Sequence, residues 1–236
     1  MNRTVILLVS PLLYGFATAQ FKQNDTLFFV REKNDSLYHR VFIDTNKKSE
    51  FYSLVSDFKI SGFDKDTYKR SLNYLYSKKY FPKKNKFLKQ IPSEWVMLES
   101  YKGKIYVYSP ADYYFHYKVK LTDSLFIDWT GEGPEATYIQ KFTKINTSTY
   151  QFILRSETHH FSELTIKYID HEKGIALFQS KEYNSSLKKM EVSYQLMVDV
   201  KKMRTIQLLV NTCDHQKQDE LDFDKINYAT KFKHTN

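Results

Sequence analysis

The sequence predicts a mainly β protein: an antiparallel meander forming a barrel or half-open barrel, with two N-terminal helices against it. Three observations carry this expectation. From Trp95 onward the apolar residues recur with a period of two, the mark of half-buried strands. The runs fall into about nine segments spaced roughly 8–15 residues apart, as in sandwiches and barrels. The joints between them are too short for crossover helices, so neighbouring strands should pair antiparallel.

Residues 1–19 read as a secretory signal peptide. Arg3 supplies a short positive region, two apolar runs broken at Ser10 follow, and Ala17 and Ala19 are the small residues that flank a cleavage site. The mature chain then starts at Gln20. The apolar stretch is shorter than the roughly 20 residues of a spanning helix, and no Cys follows to carry a lipid. Export to the periplasm, cell surface or extracellular space is therefore expected, with no transmembrane span. The single Cys213 permits no intramolecular disulfide. Exported animal domains of this size commonly rely on disulfides, so the source reads as bacterial.

Residues 20–90 are expected to hold a hairpin, two helices and a Lys-rich linker. Two short apolar runs flank Lys33, Asn34, Asp35 and Ser36, whose polar side chains suit a turn. Phe51, Leu54, Val55 and Phe58 then fall on one helical face. Tyr68, Leu72, Leu75 and Tyr76 repeat that spacing after Asp64, a candidate N-cap, and Pro82 stops the second helix. Between residues 78 and 89 the chain carries six Lys and no acid, against a whole-chain balance of 36 basic to 27 acidic residues. Such a run is ordinarily a solvated linker. Its functional reading is an anion-contact patch of Lys83, Lys84, Lys86 and Lys89 facing acidic glycans or lipids. No nucleic-acid motif accompanies it, so nucleic acid is not an expected partner.

Residues 91–213 carry the alternating runs. Phe115, Tyr117 and Val119 form one, Leu125, Ile127 and Trp129 the next, and Tyr150, Phe152 and Leu154 another. The longest places Met190, Val192, Tyr194, Leu196 and Val198 toward the core and leaves Met197 on the outer face. Residues 214–236 form a polar tail expected at the surface or partly disordered.

Catalytic chemistry has little signature. No nucleophile elbow is present, and Cys213 with His215 offers two metal ligands where a site needs three or four. His159 and His160 are adjacent, so on a strand they point apart. No cofactor, metal site or catalytic residue is expected. The most distinctive segment runs from Asp128 through Trp129, Gly131, Glu132, Gly133 and Pro134 to Glu135. It concentrates three carboxylates and two of the six Gly between two strands. An ordinary hairpin turn is the simplest account of it; a binding lip or a hydrolase site built on a carboxylate pair is the functional one.

At residues 101–107, where Gly103 opens the strand containing Ile105 and Val107, the chain resembles a lipocalin-like (calycin-type) β-barrel over about residues 95–210. Ile105 stands where that family has Trp, and Trp95 precedes Gly103 by eight residues. The resemblance implies a cup for a small apolar ligand. The leading expectation is a non-enzymatic exported binding protein for a small apolar or amphipathic molecule. Its lining would come from Phe115, Tyr117, Trp129, Tyr138 and Phe152; alternatively these residues fill a solid core. Its competitors are an envelope interaction protein using the Lys-rich patch, and a hydrolase working at the Asp128–Glu135 loop.

Overall fold

The N-terminal hairpin is β1 (Leu27–Lys33) and β2 (Ser36–Asp44), followed by α1 (Glu50–Val55), α2 (Asp64–Ser77) and a 3-10 turn at Lys86–Gln90. Next come β3 (Glu94–Tyr101), β4 (Lys104–Ser109), β5 (Lys118–Leu121), β6 (Leu125–Thr130) and β7 (Gly133–Lys144). They lead into β8 (Thr149–Arg155), β9 (Ser162–Asp170), β10 (Ile175–Asn184) and β11 (Lys189–Asp199). The last elements are β12 (Leu208–Cys213) and α3 (Tyr228–Lys233). This computed structural model describes residues 27–33, 36–80, 84, 86–112, 116–156, 162–184, 186–213 and 220–233. The expected leader, Lys83, Phe115, His159, His160 and His215 lie outside the described residues.

Strand β3 belongs to two sheets. Its first half pairs on both edges, with Val96 opposite Lys118 of β5 and Val198 of β11. Its second half pairs with β4, Leu98 lying opposite Val107. Strands β5 to β11 run as an up-and-down meander, and the β3–β5 pairing closes them with β3 into an eight-stranded antiparallel barrel. β4 leaves the barrel. Beyond it the sheet continues through β12, parallel to β4, to β2 and β1. The alternating runs at β4 and β12 are therefore not barrel strands; they join the N-terminal hairpin to the barrel.

Three apolar clusters result. Inside the barrel lie Trp95, Phe126, Phe152, Ile166, Phe178 and Met197. On the outer wall Val96, Ile127, Leu177 and Leu196 pack with Tyr52, Val55 and Leu75 from the helices. The third holds Val41, Ile43, Tyr106, Tyr108 and Leu209 beneath Leu221 and Phe223 of the tail. Asp224 fastens that tail by accepting from the Ser100 hydroxyl and the Gly103 amide, each at 2.8 Å. The polar tail thus includes a strap seated on the second sheet.

Both helices form, with faces differing in detail from those expected. Ser49 caps α1, its hydroxyl oxygen accepting from the Tyr52 amide at 3.4 Å. The helix is only six residues long and buries Tyr52 and Val55, while Leu54 stays 44% exposed and Phe58 reaches the core from the following loop. In α2, Asp64 is the first helical residue, with Phe63 at the cap position. Asp64 and Asp66 then place negative charge near the positive end of the helix dipole. The Ser71 hydroxyl accepts from the buried Ala136 amide at 2.9 Å, and Thr67 donates to the Glu132 carbonyl at 2.9 Å. These bonds seat α2 along the β6–β7 hairpin. Gly133, at φ 97°, is where they meet: a Cβ there would lie 3.3 Å from the Asp64 carboxylate.

Strand β11 corrects the sequence reading most clearly. Met190 and Val192 are 49% and 47% exposed, whereas Met197 is fully buried inside the barrel. Leu196 and Val198 are buried as well, but on the outer wall under the helical layer. Leu196→Ala and Met197→Ala should therefore each cost roughly 2–5 kcal/mol in urea melts. Val192→Ala should stay within about 0.5 kcal/mol. Tolerance of Met197→Ala would contradict two-sided burial of the wall.

Candidate functional site: the mouth of the barrel

The two ends of the barrel differ in chemistry. At one end the segment preceding β3 acts as a plug, with Leu88 and Ile91 buried in the interior cluster. Trp95 follows with no exposed surface, its indole N–H donating to the Pro92 carbonyl at 2.8 Å. Its ring meets Phe178 at 5.2 Å and Tyr168 at 5.7 Å. Phe152, also fully buried, fills the adjacent space against Phe142. This end is solid.

Toward the other end the interior becomes polar around a cavity of about 50 Å³. Tyr117, Asp128, Glu135, Glu182 and Gln195 line it, with Phe126, Leu154 and Leu164 as the apolar part of the wall. Strand alternation explains why these side chains converge. On β6, Phe126 belongs to the interior cluster while Leu125, Ile127 and Trp129 belong to the outer one, so Asp128 turns inward. Asp128 is the cross-strand partner of Glu135 on β7. Directly opposed residues have Cβ atoms about 4.5–5.5 Å apart, close enough for their charges to interact. Glu182 enters from β10, on the same face as Ala176 and Phe178.

Electrostatics follow from this geometry. Burial, reinforced by the charges of Glu135 and then Glu182, pushes the Asp128 carboxyl up from its ordinary 3.8 to about 7. Burial, with Asp128 and Glu182, also holds the Tyr117 hydroxyl well above its ordinary range. The Asp128 carboxylate accepts from its own backbone amide, which acts against the rise at Asp128.

The expected lining residues separate. Tyr117 borders the cavity and Phe152 faces the barrel interior. Trp129 and Tyr138 instead face the outer layer. Trp129 meets Phe58 edge-on at 5.4 Å, and Tyr138 stacks on Tyr80 at 5.8 Å. Lys118 lies across this layer, its ammonium 5.3 Å from the Phe58 ring and 5.5 Å from the Trp129 ring while donating to the Asp57 carbonyl. Phe115 is outside the described residues. Of the Lys patch, Lys84 and Lys89 are exposed, Lys86 has only its backbone described, and Lys83 is outside the described residues. Asp128 and Glu135 of the segment marked as a binding lip do border the cavity, whereas Glu182 and Gln195 are not singled out by aromatic size; the parity of Glu182 with Phe178 is the available signal.

Among the described residues no three His, Cys, Asp or Glu side chains are placed to hold one metal ion. No described helix is long and apolar enough to cross a membrane. Comparisons with family profiles, curated proteins and solved structures find no match to the chain.

The raised carboxyl makes a pH prediction. Asp128 binds its proton more tightly in the folded state than in the unfolded one. Its contribution is therefore fully present below about pH 4 and is lost as pH rises through about 7. Asp128→Asn should stabilise the protein by roughly 1–3 kcal/mol at pH 8, with the advantage shrinking steadily toward pH 4. Comparing urea melts of variant and wild type cancels two other groups that titrate nearby. Glu99 is pushed by burial up to about 7, and His116 is pushed by burial and Lys118 down to about 4. A variant less stable at pH 8 than wild type would show that the ionised carboxylate is well accommodated.

Proposed function

We propose that this is an exported, non-enzymatic binding protein that holds a small amphipathic ligand in the open mouth of its barrel. The observation supporting this most directly is the contrast between the two ends. A barrel that served only as a scaffold gains stability by filling its interior with apolar side chains, as the Trp95 end does. The Asp128 end instead leaves carboxylates, a phenol and an amide around a cavity. Small-molecule sites typically combine an apolar wall with a few placed polar groups, and Phe126, Leu154 and Leu164 supply that wall here. A closed eight-stranded meander with one plugged end is also in keeping with the lipocalin-like resemblance.

Size restricts the binding mode. Drug-sized pockets span about 300–1,000 Å³, whereas this cavity is about 50 Å³. It accommodates a head group of a few heavy atoms, and the rest of the ligand would lie across the rim. Export follows from the leader, and sequencing the protein recovered outside the cytoplasm should find Gln20 at its start. An intact Met1 on exported protein would overturn that reading.

The binding reading is tested by thermal-shift and native-mass measurements with short-chain amphiphiles whose head groups carry different charges. At least one should bind wild type and be lost when the cavity is filled by Ser180→Phe. Binding that survives in the filled variant would place the ligand elsewhere, and absence of binding by every head-group class would retire the proposal.

A further inference from the structure

We infer that the face of the second sheet beneath the tail is a docking surface for an extended acidic segment of a partner protein, and that residues 220–224 hold it closed as a tethered stand-in. The face offers three adjoining subsites. In the first, His39 Nε2 meets Asn211 Oδ1 at 2.6 Å, which orients the amide so that its Nδ2 donates to the Tyr108 hydroxyl at 3.0 Å. The Tyr108 hydroxyl then donates to the Glu220 carboxylate, which also accepts from Asn211 Nδ2 at 3.4 Å and from the Asp112 amide at 3.2 Å. In the second, the Phe223 ring lies edge-on to Tyr108 at 4.8 Å and to Tyr101 at 6.4 Å. In the third, Asp224 accepts from the Ser100 hydroxyl and the Gly103 amide, while its own amide donates to the Ser100 carbonyl at 2.8 Å. Main-chain bonds combined with side-chain pockets are how extended peptides are recognised. The occupant is thereby specified: two carboxylates four residues apart, with apolar side chains between them.

The second observation concerns the strap itself. The groups it covers are buried, Asn211 and Leu209 almost completely, yet none of residues 220–230 is buried, and Asp222 and Asp224 are exposed. A segment that buries so little of itself opens at a lower free energy than the fold it lies on. Charge selects the partner. Glu220, Asp222 and Asp224 are three of the five strap residues, whereas the chain as a whole carries a net charge of +9. At the edge of the face the Lys102 ammonium stands 5.0 Å from the Phe28 ring and 5.1 Å from the Tyr101 ring. That arrangement favours an acidic segment over a neutral or basic one. Because the strap is tethered, it competes at an effective concentration on the order of millimolar. A free segment therefore binds wild type more weakly than it binds a chain whose strap is loosened.

The probe is a fluorescent peptide copying residues 218–226, titrated into the full mature chain beside a peptide of the same composition in scrambled order. The strap is loosened by Phe223→Ala combined with Asp224→Ala, and more mildly by Asp224→Asn alone, leaving the face unchanged. Wild type should bind the peptide detectably, the double variant at least roughly tenfold tighter, and the scrambled peptide at least roughly tenfold more weakly. Hydrogen exchange should show the Gly103 and Asp112 amides losing protection in the double variant and regaining it when the peptide binds. No binding to either loosened variant, or equal binding of the scrambled peptide, would overturn the docking surface. So would a loosened variant whose barrel melts far below wild type, since the strap would then be part of the core. Self-association of the loosened chains through their tails would overturn the partner in favour of exchange between copies. None of these outcomes depends on ligand binding at the barrel mouth.

Discussion

Strand β3 is the constraint on which the architecture depends. A strand has two hydrogen-bonding edges, and around Trp95 and Val96 both are used, one by β5 and the other by β11. That double pairing closes the barrel and removes the open edges that a seven-stranded meander would present. Beyond Met97 the strand leaves its barrel neighbours and pairs with β4. It thereby anchors the second sheet, and through β12 the N-terminal hairpin. Trp95 sits at this junction with no exposed surface, so the residue that closes the barrel also fills its plugged end.

Closure makes the wall of the barrel two-sided. Its inner face packs on itself, and part of its outer face is covered by α1, α2 and the loop between them. Leu125, Phe126 and Ile127 are consecutive and all buried, as are Leu196, Met197 and Val198. The helical layer is held by polar contacts as well as by apolar packing. Ser71 and Thr67 bond the β6–β7 hairpin, and Lys118 spans Phe58, Trp129 and the Asp57 carbonyl. The hairpin that carries Asp128 and Glu135 is therefore braced from outside, which restricts how far the mouth can relax around its carboxylates.

That bracing gives the mouth its energetic character. Half-buried carboxylates placed near one another disfavour each other's ionised form, as the raised Asp128 carboxyl shows. Retaining them is the trade expected where a site is organised for a ligand rather than for stability. The tail strap over the second sheet carries a carboxylate shifted the other way. There the Asp224 carboxylate is held below its usual range by bonds from the Gly103 amide and the Ser100 hydroxyl, so its charge is satisfied within the fold.

Local pattern was sufficient for much of this fold. Period-two alternation and short polar joints determined the strands, their antiparallel pairing and the meander from β5 to β11, because strand geometry and connection length act within a few residues. The helical spacings likewise located α1 and α2. Which face of a strand points inward was decided by tertiary structure, since alternation defines two faces without labelling them. Trp129 and Tyr138 look like lining by size, yet a helical layer covers their side, and Asp128 takes the interior position. The parallel pairing of β12 with β4 and the meeting of Glu182 with Asp128 and Glu135 join residues far apart in the chain. No local pattern encodes such pairs, because only closure of the barrel brings those strands together.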